Sequence, residues 1–132
     1  MKSILLDTHV WLWCISAPSR LGVDVLNLLE DRENEIYLSA ASAWEIAIKY
    51  GLGRIPLPEP PDKFITPRLL RDGIRPLPVE HQHACHVANL PDHHRDPFDR
   101  ILIAQTQIER FTFITADRKL KDYDIEMIFI KS

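Results

Sequence analysis

Short apolar runs alternate with segments of helical periodicity, and this alternation restricts the fold more than any other feature of the sequence. The apolar runs predict buried strands and one short edge strand, at residues 3–6, 35–39, 74–79, 111–115 and 126–130. The periodic segments predict helices at residues 8–16, 21–32, 42–51, 62–72, 80–89 and 96–109. Strands that alternate with helices in this way indicate an α/β domain with a mostly parallel sheet.

The size of the chain predicts one domain. Its 132 residues suffice for one hydrophobic core. Seven of the ten prolines fall between Pro56 and Pro78, where they suggest a surface connection, because neither half of the chain is large enough to fold alone. Residues 1–6 are expected to form a strand and not a signal peptide, and the apolar stretches are too short to span a bilayer. We therefore expect a soluble, cytoplasmic protein in which Cys14 and Cys85 are buried free thiols.

The charge balance limits how this protein can bind nucleic acid. The formal net charge is −3, whereas proteins that bind nucleic acid by bulk electrostatics usually present a basic surface. Any chemistry on a phosphodiester must then rely on local basic groups, on bound cations, or on both.

Four acidic residues are expected at one edge of the predicted sheet. Asp7 ends the first strand, Glu45 lies in the first turn of helix 42–51, Asp99 lies in the first turn of helix 96–109, and Asp117 follows strand 111–115. The carboxyl ends of parallel strands share one edge, where α/β proteins place their active sites. Acids that are far apart in sequence are therefore predicted to meet.

Each acid also has a structural explanation of its own. Ser42 and Glu45 form a capping-box pattern, and Asp96 precedes a proline as a helix N-cap would. Asp7 could cap the following helix, and Asp117 could belong to a turn. Four converging carboxylates would nevertheless repel one another unless a cation or raised pKa values relieve the repulsion. Mg²⁺ or Mn²⁺ would relieve it, because these ions prefer oxygen ligands, and either ion could activate water for attack on a phosphodiester.

Four blocks of sequence around these acids resemble the VapC-like branch of PIN-domain ribonucleases: LLDTHVWLW (5–13), LSAASAWEIAIKYGLGRI (38–55), LPDHHRDPFDRILIAQ (90–105) and FITADRKL (113–120). The resemblance spans nearly the whole chain in the same order. It implies a single PIN domain over residues 1–132, with a three-layer α/β fold. It also implies an Mg²⁺- or Mn²⁺-dependent endoribonuclease that is the toxin of a toxin–antitoxin pair, forms a homodimer and is blocked by a cognate antitoxin.

The family pattern assigns roles residue by residue. Asp7, Glu45 and Asp99 match the three principal catalytic and metal-binding acids, and Asp117 falls at the fourth, which varies between acid and amide in PIN domains. The predicted supporting residues are Asp96, Thr8 and Thr115. Asp96 would cap its helix and add negative potential, and the two threonines could present hydroxyls to the site or simply cap local structure.

Basic residues near the acids are candidate RNA contacts. Arg100, Lys49 and Arg118 are predicted to touch RNA phosphate, with Arg95 and Lys119 as further candidates. A solvated surface charge fits the arginines and Lys119 equally well, and an i,i+4 ion pair with Glu45 is the simpler interpretation of Lys49.

Histidine and tryptophan complete the candidates. Five histidines between His81 and His94 do not match a zinc-binding spacing, and His94 is expected to have a structural role. Trp11, Trp13 and Trp44 suit packing in the core or in a dimer, with base stacking restricted to an exposed ring.

Several other functions fit parts of the pattern. A haloacid-dehalogenase-like phosphatase needs an acid where the chain has His9, and a receiver-like domain needs an acidic pair and a late lysine that are missing. A non-catalytic PIN-fold binding scaffold and a PIN nuclease with a housekeeping RNA or DNA role stay open as alternatives.

Overall fold

Five parallel strands form the centre of the protein in a computed structural model that describes residues 1–131. The strand order is β3-β2-β1-β4-β5, and every neighbouring pair is parallel. The strands are β1 (Ser3–Leu6), β2 (Glu35–Ser39), β3 (Arg75–Leu77), β4 (Thr112–Thr115) and β5 (Glu126–Phe129). The prediction of a mostly parallel sheet is therefore confirmed.

Helices cover both faces of the sheet. They are α1 (Thr8–Ser16), α2 (Val23–Glu30), α3 (Ala40–Gly51), α4 (Pro61–Asp72), α5 (His81–His86) and α6 (Pro97–Glu109). Ile4 and Leu6 of β1 pack into a core with residues of α1 to α4, whereas Leu5 packs into a second core with residues of α6. All three side chains are fully buried, which explains why β1 is apolar on both faces.

The α3 helix begins two residues earlier than predicted. Its N-cap is Ser39, whose hydroxyl accepts a hydrogen bond from the Ala41 amide at 3.0 Å. Ser42 therefore lies inside the helix, and the predicted capping box of Ser42 and Glu45 is wrong. The earlier start places Glu45 in the second turn and frees its carboxylate for other partners.

Two other predicted helices are shorter in the structure. Residues 21–32 were expected to be one helix, but Gly22 has φ +83° and separates a 3₁₀ turn (Pro18–Leu21) from α2. The predicted helix 80–89 ends as α5 at His86 and continues as a 3₁₀ turn (Val87–Asn89). Within residues 1–131 no helix has both the length and the apolar composition needed to cross a bilayer.

The two cysteines differ from each other in exposure. Cys14 is half-buried, and burial raises the pKa of its thiol to about 11. Cys85 is exposed, so the prediction that it is buried is wrong. Both are free thiols, as expected.

Candidate active site

Asp7 lies where the order of the strands reverses. β1 pairs with β2 on one side and with β4 on the other, and the crevice beyond their carboxyl ends is the usual position of a site in such sheets. Thr115, the last residue of β4, donates its hydroxyl to Oδ2 of Asp7 at 2.7 Å. The backbone amide of Thr8 donates to Oδ1 of Asp7 at 2.8 Å. Two adjacent strands thus fix the orientation of this carboxylate.

Glu45 reaches the same crevice from α3 and is only 6% exposed. Its Oε2 lies 2.6 Å from Nζ of Lys49, so the expected i,i+4 ion pair is present. Oγ1 of Thr8 lies 2.8 Å from both Oε1 of Glu45 and Oγ of Ser42. Since a hydroxyl carries one proton, Thr8 donates to the carboxylate and accepts from Ser42. Ser42 therefore supports the acid through Thr8.

Asp99 lies in the first turn of α6. Asp96 caps this helix by accepting hydrogen bonds from the backbone amides of Phe98 and Asp99, at 2.8 and 3.4 Å. Oδ2 of Asp99 lies 2.8 Å from Nε2 of His94. Asp96 thus has the predicted cap position, while His94 contacts the acid directly.

Asp117 approaches from the end of β4. Its backbone amide donates to the hydroxyl of Thr115 at 3.0 Å, and its Oδ1 accepts from the Lys119 amide at 3.0 Å. One possible ligand atom from each of His94, Asp99 and Asp117 lies within 4.8 Å of the others. Asp7 and Glu45 line the same crevice outside that group.

These side chains enclose one cavity of about 400 Å³. The four predicted acids and Asp96 all line it, and so does Lys49. The other lining residues are His9, Trp13, His94, Ala116 and Lys119. His9 and Trp13 were not predicted as cavity residues, because the packing of α1 against the sheet decides which of its side chains face the cavity.

Burial and mutual repulsion disturb two of the acids. Burial, followed by the charges of Asp7 and Asp96, raises the pKa of Asp99 to about 7, and the hydrogen bond from His94 offsets only part of this effect. Burial also raises the pKa of Asp7, against the lowering effect of its bonds from Thr115 and Thr8. Two neighbouring carboxyls therefore resist ionisation, chiefly because they are buried and, for Asp99, also because other acids lie close by.

Arg100 does not have the predicted position of an RNA contact. Its Nη1 donates to the carbonyls of Pro91 and His94, at 2.9 and 3.2 Å, and its Nη2 donates to that of Val87 at 3.0 Å. These contacts occupy the guanidinium in holding the segment before α6, so the prediction for Arg100 is corrected to this anchoring role. Arg118 is exposed, outside the cavity lining, and stacks on Phe129 at 5.0 Å.

The tryptophans divide between the core and the surface. Trp11 is fully buried, whereas Trp44 is 63% exposed and packs edge-on against Phe98 with ring centroids 5.2 Å apart. The rings of Trp44 and Phe98 line an apolar groove of about 570 Å³, together with Val79, Val87 and Ile101. The residues that line this groove carry no titratable side chains, whereas most of those that line the acid cavity do.

The donor set of the acid cavity fits a divalent cation. Carboxylate oxygens are the preferred ligands of Mg²⁺ and Mn²⁺, and a carboxylate that accepts one hydrogen bond per oxygen keeps further lone pairs. A bound cation would also favour the ionised forms of Asp7 and Asp99, whose pKa values are raised chiefly by burial and further by neighbouring acids.

The model of the PIN domain family matches residues 4–126, and the chain belongs to this family. Ribonuclease VapC16 of Mycobacterium tuberculosis is 48% identical over 71 residues, a stretch that covers 51% of this chain and 50% of that relative. The chain thus aligns with about half the length of VapC16. Ribonuclease VapC22 of the same organism is 27% identical over 124 residues and 93% of each chain.

Solved structures share the fold over almost the whole chain. VapBC2 of Rickettsia felis, crystallised with a DNA fragment from its promoter, contains a chain with a TM-score of 0.73 and 14% identity, covering 98% of this chain and 99% of that one. A toxin–antitoxin complex from Klebsiella pneumoniae gives a TM-score of 0.62 at 15% identity, with 98% of each chain covered. These likenesses establish the PIN-like α/β architecture.

Proposed function

We propose that the protein is a divalent-metal-dependent endoribonuclease that hydrolyses RNA phosphodiesters and acts, in the cytoplasm, as the toxin of a toxin–antitoxin pair. The convergence of Asp7, Glu45, Asp99 and Asp117 in one cavity is the observation that carries the proposal. Membership of the PIN family and the ribonuclease names of the two relatives support it.

Asp7, Asp99, Glu45 and Asp117 are the proposed metal ligands. A bound Mg²⁺ or Mn²⁺ lowers the pKa of water and neutralises charge that develops on a phosphodiester. Thr115 and Thr8 hold the two oxygens of Asp7 in place, so that this carboxylate loses little rotational freedom when it binds the ion. Asp96 keeps Asp99 in the first turn of α6.

The basic side chains at the cavity balance the charge of an RNA phosphate. Lys49 and Lys119 both line the cavity, and Lys49 is already paired with Glu45. A phosphate that enters an acidic cavity is repelled unless cations offset it, so these lysines and the bound ion must act together. Among the basic residues predicted from sequence, Lys49 is therefore the proposed phosphate contact in the site, and exposed Arg118 is proposed to contact RNA outside it.

The experiment is cleavage of single-stranded RNA by the purified protein with Mn²⁺ or Mg²⁺. EDTA should abolish cleavage, and Asp7→Asn should lower the rate at least about a hundredfold, the scale for loss of a key charge-stabilising group. Lys121→Gln is a matched surface control that should keep the wild-type rate. Full activity of Asp7→Asn, or activity that survives EDTA, would contradict the proposal.

The proposed antitoxin is a short partner that places a basic residue against the carboxylates and competes with metal. Solved toxin–antitoxin complexes that share the fold support a partner of this kind. The test is Mn²⁺ affinity of the chain alone and of its complex with the protein encoded beside it. Equal affinity in both would exclude a basic residue in the metal site.

We further propose a homodimer that forms through exposed apolar side chains at α3. The apolar faces of α1 and α2 pack largely against the core, and Val23 is the large apolar side chain of these two helices that is well exposed within residues 1–131. Trp44 and Ile48 on α3 and Leu52 at its C-cap follow at intervals of four and are exposed, and Trp44 also lines the apolar groove. A second copy of the chain would cover them. Light scattering at micromolar concentration should give a dimer that Trp44→Lys dissociates.

A further inference from the structure

His94 is a side chain in the acid cavity for which the proposed function has no role. Its Nε2 lies 2.8 Å from Oδ2 of Asp99. Its ligand atom belongs, with those of Asp99 and Asp117, to a group whose members all lie within 4.8 Å of one another. The three residues come from a loop, a helix and the end of a strand, so local sequence does not force them together.

The separation of His94 and Asp99 fits an edge of an octahedral coordination shell. Ligands about 2.1 Å from an ion and 90° apart are about 3.0 Å from each other, and opposite ligands are about 4.2 Å apart. Nε2 of His94 has a lone pair for an ion when the ring proton is on Nδ1, and its separation of 2.8 Å from Oδ2 of Asp99 then matches an adjacent pair of ligands. The ligand atom of Asp117 lies within 4.8 Å of the other two, so that side-chain rotations can bring all three atoms around one ion.

The backbone of His94 is held in place before any ion binds. Its carbonyl accepts hydrogen bonds from Nη1 of Arg100 at 3.2 Å and from the hydroxyl of Tyr123 at 3.4 Å. Arg100 also binds the carbonyls of Val87 and Pro91, so one guanidinium anchors the whole segment that leads to His94. A segment fixed in this way presents its imidazole to the cavity at low entropic cost.

The neighbouring histidines are placed differently. His9 lines the cavity from α1 but is exposed, and it is not part of the group formed with Asp99 and Asp117. His93 is exposed and packs against the ring of Tyr123, with centroids 5.1 Å apart. Substitutions of His9 and His93 are therefore matched controls for the loss of the His94 imidazole.

We infer that His94 is a nitrogen ligand of the cation, and that His94, Asp99 and Asp117 form a position that favours transition-metal ions such as Mn²⁺ over Mg²⁺. Imidazole is a good donor to transition-metal ions, whereas Mg²⁺ strongly prefers oxygen. The inference rests on the proposed function only in that Asp99 binds the catalytic cation.

Pulsed electron paramagnetic resonance of the full chain with one equivalent of Mn²⁺ tests the nitrogen ligand directly. The wild-type spectrum should show ¹⁴N coupling to Mn²⁺. The coupling should disappear in His94→Gln and persist in His9→Gln and His93→Gln. Glutamine can still donate a hydrogen bond to Asp99, so the variant removes the nitrogen ligand while keeping a positioning contact. A wild-type spectrum with bound Mn²⁺ and no ¹⁴N coupling, or a coupling that remains in a folded His94→Gln, overturns the inference.

Calorimetric affinities give the selectivity. Mn²⁺ should bind His94→Gln at least about tenfold more weakly than wild type, since loss of even an outer partner of a metal ligand costs about 10–100-fold. The affinity for Mg²⁺ should fall by a smaller factor, so that the ratio of Mn²⁺ affinity to Mg²⁺ affinity is lower in His94→Gln than in wild type. An unchanged ratio contradicts the inference. If wild type cleaves RNA and binds Mn²⁺ but shows no ¹⁴N coupling, this inference alone is refuted. If wild type does not bind Mn²⁺, the proposed function is refuted as well.

Discussion

Two histidine–carboxylate pairs lie at opposite ends of α6, and in each pair the closest nitrogen and oxygen are 2.8 Å apart. At the C-terminal end, Nε2 of His83 contacts Glu109, and at the N-terminal end, Nε2 of His94 contacts Asp99. His83 is fully buried, and its Nδ1 accepts a hydrogen bond from the Glu80 amide at 3.0 Å. The proton of the neutral ring is therefore on Nε2, which donates to Glu109.

The two histidine–carboxylate pairs differ in the surroundings of their carboxylates. Asp99 lies near Asp7 and Asp96, and burial with these charges raises its pKa to about 7. Glu109 lies beside a fully hydrogen-bonded imidazole, to which Nε2 of Gln105 also approaches at 3.4 Å. A histidine–carboxylate contact is thus present at both ends of the helix, but only at the N-terminal end do burial and neighbouring acids outweigh its favourable effect on the carboxylate. Contact geometry alone does not identify a functional site, whereas uncompensated charge beside the carboxyl ends of parallel strands does.

The largest difference between the two histidine–carboxylate pairs of α6 is expected in the rate of RNA cleavage. Asp99→Asn and Glu109→Gln each replace a histidine-paired carboxylate by an amide of the same size. Asp99→Asn should lower RNA cleavage at least about a hundredfold because it removes a proposed metal ligand. Glu109→Gln should change the rate less than about threefold, since surface charges far from a reacting centre contribute little. Rates measured with excess Mn²⁺ test this, and similar losses in both variants would remove the distinction.

Stability should depend more on the histidine at the C-terminal end of α6, the reverse of the order expected for cleavage. His83→Ala leaves a cavity and an unpaired Glu80 amide in the interior, and it should cost about 2–4 kcal/mol. His94→Ala should cost less than about 1 kcal/mol in metal-free protein, because its ring is partly exposed and lines an open cavity. Urea unfolding in EDTA gives both values. A larger loss for His94→Ala would mean that this ring is chiefly a structural support.

The smallest effect should come from Asp96, which raises the pKa of Asp99 only as the third cause. Asn is as good an N-cap as Asp, so Asp96→Asn should change stability by less than about 0.5 kcal/mol. It should lower the pKa of Asp99 by less than about one unit, because one like charge is removed while burial and Asp7 remain. Titration of the Asp99 carboxyl carbon by NMR in EDTA measures the shift. A pKa that does not fall would show that Asp96 does not act on Asp99 through its charge.

The strand-end acids were predictable because they depend on topology. The position of Asp7 after β1 and of Asp117 after β4 follows from the apolar runs, and in a parallel sheet these runs place both acids at one edge. The start of α3 was not predictable, since Ser39 and Ser42 are both suitable caps and only packing selects Ser39.

The roles of His94 and Arg100 could not be read from the sequence, because they arise from tertiary contacts. Arg100 is one residue from Asp99, and proximity in sequence suggested a phosphate contact. In the structure its guanidinium turns back to carbonyls 6 to 13 residues earlier in the chain. That turn places His94 against Asp99, a contact that local periodicity does not specify.

Thermal unfolding of wild type and Asp99→Asn, in EDTA and in Mn²⁺, tests most directly whether the acids form a shared cation site. The pKa of Asp99 is raised from 3.8 to about 7, so the folded state binds its proton more tightly than the unfolded state does. Wild-type stability therefore falls as pH rises from about 4 to about 7 and changes little above that range. Asp99→Asn removes this loss, although it also removes a favourable charge of about 0.3–1 kcal/mol at the helix N-terminus.

In EDTA at about pH 8, we therefore expect Asp99→Asn to be more stable than wild type by about 1–2 kcal/mol after solvent screening. The advantage should shrink as pH falls and disappear at about pH 3, below the unfolded pKa of 3.8, where the wild-type carboxyl is protonated in the folded state and largely so in the unfolded state. Mn²⁺ at a hundred times its dissociation constant should stabilise wild type by about 2.7 kcal/mol and should cancel or reverse the difference. Glu109→Gln, the matched control, should respond to Mn²⁺ as wild type does. If Asp99→Asn is less stable than wild type in EDTA at about pH 8, and Mn²⁺ leaves both melting temperatures unchanged, the acids are ordinary helix caps and the shared cation site is wrong.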